Sequence, residues 1–292
     1  MSKSIFDMTD QERLDKQYRI NRRLREHLSE ALSSNPKIKD WFIIAANGSV
    51  NYDLDYEDSD IDSKLLVIPD IHQLIWNDIH NYLHVMSDNE EHCEVKDVRN
   101  YFHTILKQNI NFVETLFSDY VVVNPKYIDI WEAFVAMREE IAFYDPIAAM
   151  NCMVGMMRQK QIDMVSMSTG RKEAIEKYGY DVKNYHHIWR LHLFFRDYLT
   201  NYGDVNNQTP YKDCLVKRPA YLRNFLIHIK QGDDFFSAED AKERADILYA
   251  ADKELKDKII EYYKNVDSKD YQEYIRTFIS DTIEQLIDRS LH

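Results

Sequence analysis

The residues with the clearest chemical potential lie in one stretch: Gly48-Ser49-Val50-Asn51-Tyr52-Asp53-Leu54-Asp55-Tyr56-Glu57-Asp58-Ser59-Asp60-Ile61-Asp62. A Gly-Ser pair stands ten residues ahead of an Asp-x-Asp. The apolar run from Trp41 to Ala46 leads into the Gly-Ser, and a second run, Leu65 to Ile68, follows the second Asp. Such a pattern predicts a strand that ends in a tight turn offering backbone N–H groups and a hydroxyl. A second strand then carries Asp60 and Asp62 at i and i+2, on one face by period-two alternation. A hydroxyl-bearing turn facing a carboxylate pair suits a metal-bound triphosphate.

Two unit charges about 4 Å apart repel by about 4 kcal/mol at an effective dielectric near 20. A site that keeps both carboxylates ionised therefore calls for a cation, and oxygen ligands favour Mg²⁺ or Mn²⁺. Glu94, in the next strand pair, is the best third carboxylate; Asp97 is the alternative, although it stands where a helix cap is expected. Asp-x-Asp pairs are common in acidic chains, and this one has Asp53, Asp55, Glu57 and Asp58 around it. A calcium loop of the EF-hand kind is excluded, because no register starting at Asp53, Asp55 or Asp58 has Gly at position six and Glu at position twelve. Lys64 follows Asp62 by two residues, either as a phosphate-charge partner or as an ordinary strand-edge lysine. Lys107 and Asn109 read as helix-end polarity.

These residues need a frame. Thr9–Leu32 reads as an amphipathic helix with Thr9 and Glu12 forming a capping box. Strands are expected at Trp41–Ala46, Ser63–Ile68, Tyr82–Met86, His92–Val95 and Tyr120–Val123. The hairpin turn falls at Ser87-Asp88-Asn89. Short helices are expected near Val50, at Asp70–Asn77 and at Asp97–Gln108, with a further element at Phe112–Phe117. Beyond Pro125 the helical period takes over: Lys126–Glu140, Pro146–Met167, Arg171–Tyr178, Tyr185–Tyr202, Tyr211–Lys230, Ala238–Lys264 and Ser268–Ser290. Breakers separate them at Asp145-Pro146, Ser168-Thr169-Gly170, Gly179, Gly203–Pro210 and Gln231-Gly232-Asp233-Asp234. The fold class is α+β, with a mixed-sheet domain over 1–145 and an all-helical domain over 146–292 that closes a cleft. Met150, Met153, Met156, Met157, Met164 and Met167 recur at helical spacing and read as core.

The chain has 292 residues, is 45% hydrophobic and 30% charged, and carries a net charge of −13. That excess of acid argues against a protein that coats nucleic acid non-specifically. Three widely spaced cysteines, Cys93, Cys152 and Cys214, support neither a disulfide framework nor a zinc knuckle. The histidines at 72, 80, 84, 92 and 103 lack ligand spacing. No signal core or bilayer-length apolar run occurs, so a cytoplasmic protein without membrane contact is expected.

Gly48-Ser49-Val50-Asn51-Tyr52, Ser59-Asp60-Ile61-Asp62-Ser63-Lys64 and Glu94 together resemble the nucleotidyltransferase superfamily typified by DNA polymerase beta. The likeness is nearer to its stand-alone bacterial and phage branch, the YcgL- and RlaP-like predicted nucleotidyltransferases. Weaker matches are Lys107–Phe117 and His186-His187-Ile188-Trp189-Arg190-Leu191, and the resemblance spans about residues 40 to 200. Asp53 departs from it, standing where the branch usually has Gly.

The resemblance implies transfer of a nucleoside monophosphate from an NTP, with ATP the expected nucleotide, to a hydroxyl acceptor. An RNA end, a protein hydroxyl and a small molecule are the acceptors considered. Asp60, Asp62 and Glu94 would be the catalytic, metal-holding carboxylates; Gly48, Ser49 and Lys64 would bind the triphosphate. His187 and Arg190, one helical turn apart, would bind phosphate or acceptor. An RNA acceptor would need a basic rim, for which Arg158, Lys160, Arg171, Lys172, Lys217 and Arg218 are the candidates. The competing expectation is a catalytically silent nucleotide-binding regulatory or antitoxin-like module. Oligomeric state is not legible.

Overall fold

The computed structural model describes residues 3–56, 59–88, 91–168, 170–202, 208–233, 236–263 and 269–292. It divides into two compact units, Met1–Tyr144 with Lys269–His292, and Asp145–Ser268.

The first unit opens with helix α1, Asp10–Ser34, whose Thr9–Glu12 capping box forms as the sequence predicts. Next come β1 (Asp40–Ala46), β2 (Ser63–Ile68), α2 (Ile71–Ile75, capped by Asp70), β3 (Asn81–Val85) and β4 (His92–Asp97). They are followed by α3 (Val98–Ile105), α4 (Ile110–Val113), β5 (Val121–Val123), α5 (Ile128–Ala136) and α6 (Arg138–Ala142). The five strands form one sheet in the order β3-β4-β2-β1-β5. Among the described strand pairs only β2–β4 is parallel, and its register sets Ser63 opposite Cys93 and Lys64 opposite Glu94.

Alternation gives the sheet two chemically different faces. On one, Ile44, Ala46, Leu65, Val67, Cys93 and Val95 join Ile20, Leu24 and Ala31 of α1 in a buried cluster. The other carries Lys64, Glu94 and Lys96 on the central strands. At the β3 edge its Leu83 and Val85, opposite Glu94 and His92, are exposed.

The second unit comprises α7 (Pro146–Val165), α8 (Lys172–Tyr178), α9 (Val182–Asn201), α10 (Pro210–Val216), α11 (Ala220–Gln231) and α12 (Ala238–Tyr263). Helix α9 is its axis, with α7, α10, α11 and α12 all packed on it. Tyr185, Ile188, Leu191, Phe194, Phe195 and Tyr198 supply the buried surface. Met150, Met153, Met157 and Met164 are core as expected, whereas Met167 is exposed.

Several elements depart from expectation. The predicted Tyr211–Lys230 helix is two helices, because Pro219 lacks an N–H and restricts Arg218. Lys126–Glu140 is a 3₁₀ turn at Pro125–Tyr127 followed by α5 and α6, which break at Met137. The last helix, α13 (Lys269–Leu291), belongs to the first unit and not to the helical one. It lies against β2 and α3. Phe278 meets the Phe134 ring edge-on at 5.3 Å, and Arg289 forks onto Asp129 at 2.6 and 2.9 Å. Asn89 of the hairpin turn, Thr169, Gly203–Asn207 and Asp234 of the breakers, and Glu57 and Asp58 lie outside the described residues.

Candidate active site

The Gly-Ser pair begins a 3₁₀ turn, Gly48–Tyr52, directly after β1. Gly48 has φ +73°, and a Cβ there would meet nothing within 4 Å, so conformation and not space calls for glycine. Its N–H points at Oε1 of the buried Glu114, at 3.4 Å. The preceding Asn47 N–H donates to the Asp62 carbonyl at 2.9 Å, which seats the turn beside the second aspartate.

Asp53 ends the turn in the left-handed conformation, φ 54°, ψ 34°, with its N–H on the Ser49 carbonyl. Asp tolerates this region better than most residues, so it takes the backbone shape that glycine would supply. Its carboxylate accepts the Ser4 hydroxyl at 2.5 Å and the Ile5 N–H at 3.0 Å. Farther on, Asp55 forms a buried ion pair with Lys16 of α1 at 2.8 Å.

Asp60 and Asp62 lie in the extended lead-in to β2, not within the strand, which begins at Ser63. Asp60 is exposed and makes no hydrogen bond or ion pair with the described residues. The Asp62 carboxylate accepts the His92 N–H at 3.2 Å and lies 3.4 Å from His92 Nδ1, with 44% of the side chain exposed.

Glu94 projects on the face that alternation gives Asp62, but its oxygens are engaged. Oε1 lies 2.9 Å from Lys96 Nζ, and Oε2 lies 3.4 Å from Lys64 Nζ. Burial opposes its ionisation, yet Lys64 and Lys96 outweigh that and hold Glu94 below the usual carboxylate range. Lys64 has no exposed surface, donates to the Asn111 carbonyl at 2.5 Å and sits 4.2 Å over the Phe112 ring. Burial pulls its pKa down to about 8 against the pull of Glu94. It is therefore a buried ion-pair partner, neither an edge lysine nor a side chain open to phosphate. Asp97, the alternative third acid, is fully buried as the cap of α3 and is paired with Arg99 at 2.7 Å.

Among the described residues no group of three or more His, Cys, Asp or Glu is gathered to hold a metal ion. The donor chemistry splits the expected set. Asp60 and Asp62 offer accessible hard oxygens, and Mg²⁺ commonly takes one or two carboxylates plus phosphate and water. That pair fits the ion; Glu94, neutralised by two lysines, does not.

Sequence reasoning missed a polar chain on the α1 side of the sheet. His27, in the apolar stripe of α1, is fully buried. Its Nδ1 is 2.8 Å from Ser63 Oγ, and its Nε2 is 3.0 Å from Glu91 Oε2. Burial lowers the His27 pKa against the pull of Glu91, so the neutral ring donates from Nε2 and accepts the Ser63 hydroxyl at Nδ1. Glu91 Oε1 also accepts the Ile61 N–H at 3.0 Å, and Arg23 donates to Oε2. A histidine at 27 in the Ile20-Leu24-Ala31 spacing was the available signal; nothing local marked Glu91 or Glu114.

His186, His187 and Arg190 lie on α9 in the second unit. Nδ1 of His186 donates to the Leu226 carbonyl at 2.8 Å, and burial, despite that bond, pushes its pKa down to about 3. Burial and then Arg190 hold His187 well below the ordinary value. His187 Nδ1 is buried with no hydrogen-bond partner among the described residues. Most of the expected basic rim is occupied. Arg171 pairs with Asp163 at 3.1 Å, Lys172 with Glu176 at 3.7 Å and Lys217 with Asp213 at 3.0 Å, while Arg218 donates to the Cys214 carbonyl at 2.9 Å.

No helix among the described residues is long and apolar enough to cross a membrane. No protein-family profile and no curated protein matches the chain. Among solved structures, a nucleotidyltransferase-like protein from Exiguobacterium sibiricum 255-15 is similar at 10% identity. The match covers 91% of this chain and 92% of that one, with a TM-score of 0.27.

Proposed function

We propose that the chain is a metal-dependent nucleotidyltransferase that moves a nucleoside monophosphate from an NTP, ATP first among them, to a hydroxyl acceptor. What supports the reading is the seating of the Gly48–Ser49 turn against the Asp60–Asp62 segment through the Asn47–Asp62 backbone bond. Ser49 Oγ and the N–H groups around Gly48 bind the triphosphate, the Gly48 N–H only by leaving the Glu114 carboxylate. Asp60 and Asp62 hold Mg²⁺ or Mn²⁺, which when bound offsets phosphate charge and favours deprotonation of the attacking hydroxyl. The acceptor oxygen forms a bond to the α-phosphorus, the bond to the bridging oxygen breaks, pyrophosphate leaves with that electron pair, and the hydroxyl proton is lost to solvent. Glu94 serves as the third carboxylate only by giving up Lys64 and Lys96, and until then it anchors both lysines on the site face.

A second reading, a catalytically silent nucleotide-binding module, draws on that same engagement of Glu94 by Lys64 and Lys96. The test incubates each α-³²P-labelled NTP with Mg²⁺ or Mn²⁺ and a cell extract, beside Asp60→Ala/Asp62→Ala, with separate RNase and protease digestion of the products. Label transferred by the wild type alone supports the enzyme, and the digestion that removes it names the acceptor class. NTP-dependent stabilisation without pyrophosphate release supports the silent module.

A further inference from the structure

We infer that His27 and Glu91 are positioning residues that fix the register of the Asp60–Asp62 segment from the α1 side of the sheet. The inference rests on the reading of that segment as the metal and triphosphate site.

The argument starts from where the polarity lies. His27 occupies a place in α1 whose neighbours along the stripe, Ile20, Leu24 and Ala31, pack on Ile44, Leu65, Val67 and Val95. A leucine there would extend the cluster, and apolar replacement of buried polar groups is often neutral or stabilising. Cohesion of the core therefore does not call for histidine.

The polar groups are aimed at successive residues of one segment. Glu91 Oε1 takes the Ile61 N–H at 3.0 Å, and His27 Nδ1 takes the Ser63 hydroxyl at 2.8 Å. Between them, the His92 N–H, next after Glu91 in the chain, donates to the Asp62 carboxylate at 3.2 Å. A slip of one residue would turn Asp62 toward the apolar cluster and unmake all three bonds. Arg23, itself forked onto Asp88 at 2.8 and 2.9 Å, donates to Glu91 and keeps its carboxylate oriented. Lys16, in the same stripe of α1, holds Asp55 at the other end of the acidic loop. Helix α1 thus holds Asp55 on one side and the Asp60–Asp62 segment on the other, the segment whose two accessible carboxylates would converge on a cation. Partners that orient metal-holding carboxylates commonly change metal affinity by 10–100-fold.

The test measures Mn²⁺ affinity by electron paramagnetic resonance, with and without NTP, alongside thermal unfolding. Wild type, His27→Leu, His27→Gln and the near-isosteric Glu91→Gln are compared, with Asp60→Asn/Asp62→Asn as the zero. The expected result is a loss of affinity of about 10-fold or more in His27→Leu and Glu91→Gln, partial recovery in His27→Gln, and cooperative unfolding in all. A core-only role would move the melting temperature and leave Mn²⁺ affinity alone. Unchanged affinity in His27→Leu and Glu91→Gln, with a binding wild type, overturns the positioning role. A wild type that binds no Mn²⁺ overturns the metal-site reading, and the role with it.

Discussion

Lys64 and Glu94 stand opposite each other in the parallel β2–β4 register, Nζ to Oε2 at 3.4 Å, and the lysine has no exposed surface. Its pKa lies near 8 in the fold against an ordinary 10.5, so between those values the unfolded chain binds more protons than the folded one. Stability from this group therefore rises with pH across that window, by an amount on the order of 3 kcal/mol if the group acts alone. Wild type and Lys64→Met, melted from pH 7.5 to 10.5, are expected to diverge, with only the wild type gaining from this group.

Asp62→Asn keeps an oxygen for the His92 N–H and removes the charge. Pyrophosphate release is expected to fall by about 100-fold or more, since metal-assisted charge stabilisation is worth several kcal/mol. The melting temperature should stay within a few degrees of wild type. Turnover close to wild type with this variant would remove Asp62 from the chemistry.

Asp53 joins two demands that separate substitutions pull apart. Asp53→Gly retains the left-handed backbone and loses the bonds to Ser4 and Ile5. Asp53→Ala loses both and is expected to cost about 1–2 kcal/mol more than Asp53→Asn, measured by urea unfolding. An alanine variant as stable as the asparagine one would show that the backbone there relaxes freely.

How far this was legible depends on range along the chain. Ser63–Ile68 and the capped α1 were readable because their signals, the continuous apolar run Leu65–Ile68 and a capping box, lie within a few residues. The left-handed Asp53 was half readable, as a departure from glycine at a turn. The Lys64–Glu94 pair was not, because it is created by the register of strands thirty residues apart, which neither sequence specifies alone. The place of α13 was hidden for a related reason. Helical period reveals that Ile275, Ile279 and Leu286 share an apolar face, but not which surface covers it.

The helical unit should be acid-sensitive. Burial keeps His186 neutral to about pH 3 in the fold, whereas in the unfolded chain it protonates near 6.5. Stability from this group is complete above pH 6.5 and is lost as pH falls from there toward 3. The half-buried His187 shifts in the same direction and adds to the loss. His186→Asn, whose amide can still donate to the Leu226 carbonyl, is expected to flatten the drop in melting temperature between pH 6.5 and 4. An unchanged slope would place the acid sensitivity elsewhere.

The chain leaves the first unit after Tyr144 and re-enters it at α13, and exit and return lie side by side. Tyr271 Oη donates to the Glu140 carbonyl at 3.1 Å, and the Arg276 guanidinium sits 6.0 Å from the Tyr144 ring centre. A premature stop near residue 268 would accordingly spare every helix of the inserted unit and injure the sheet. It would strip the cover from β2, the strand that the two aspartates lead into, and so a late truncation would damage the earliest motif.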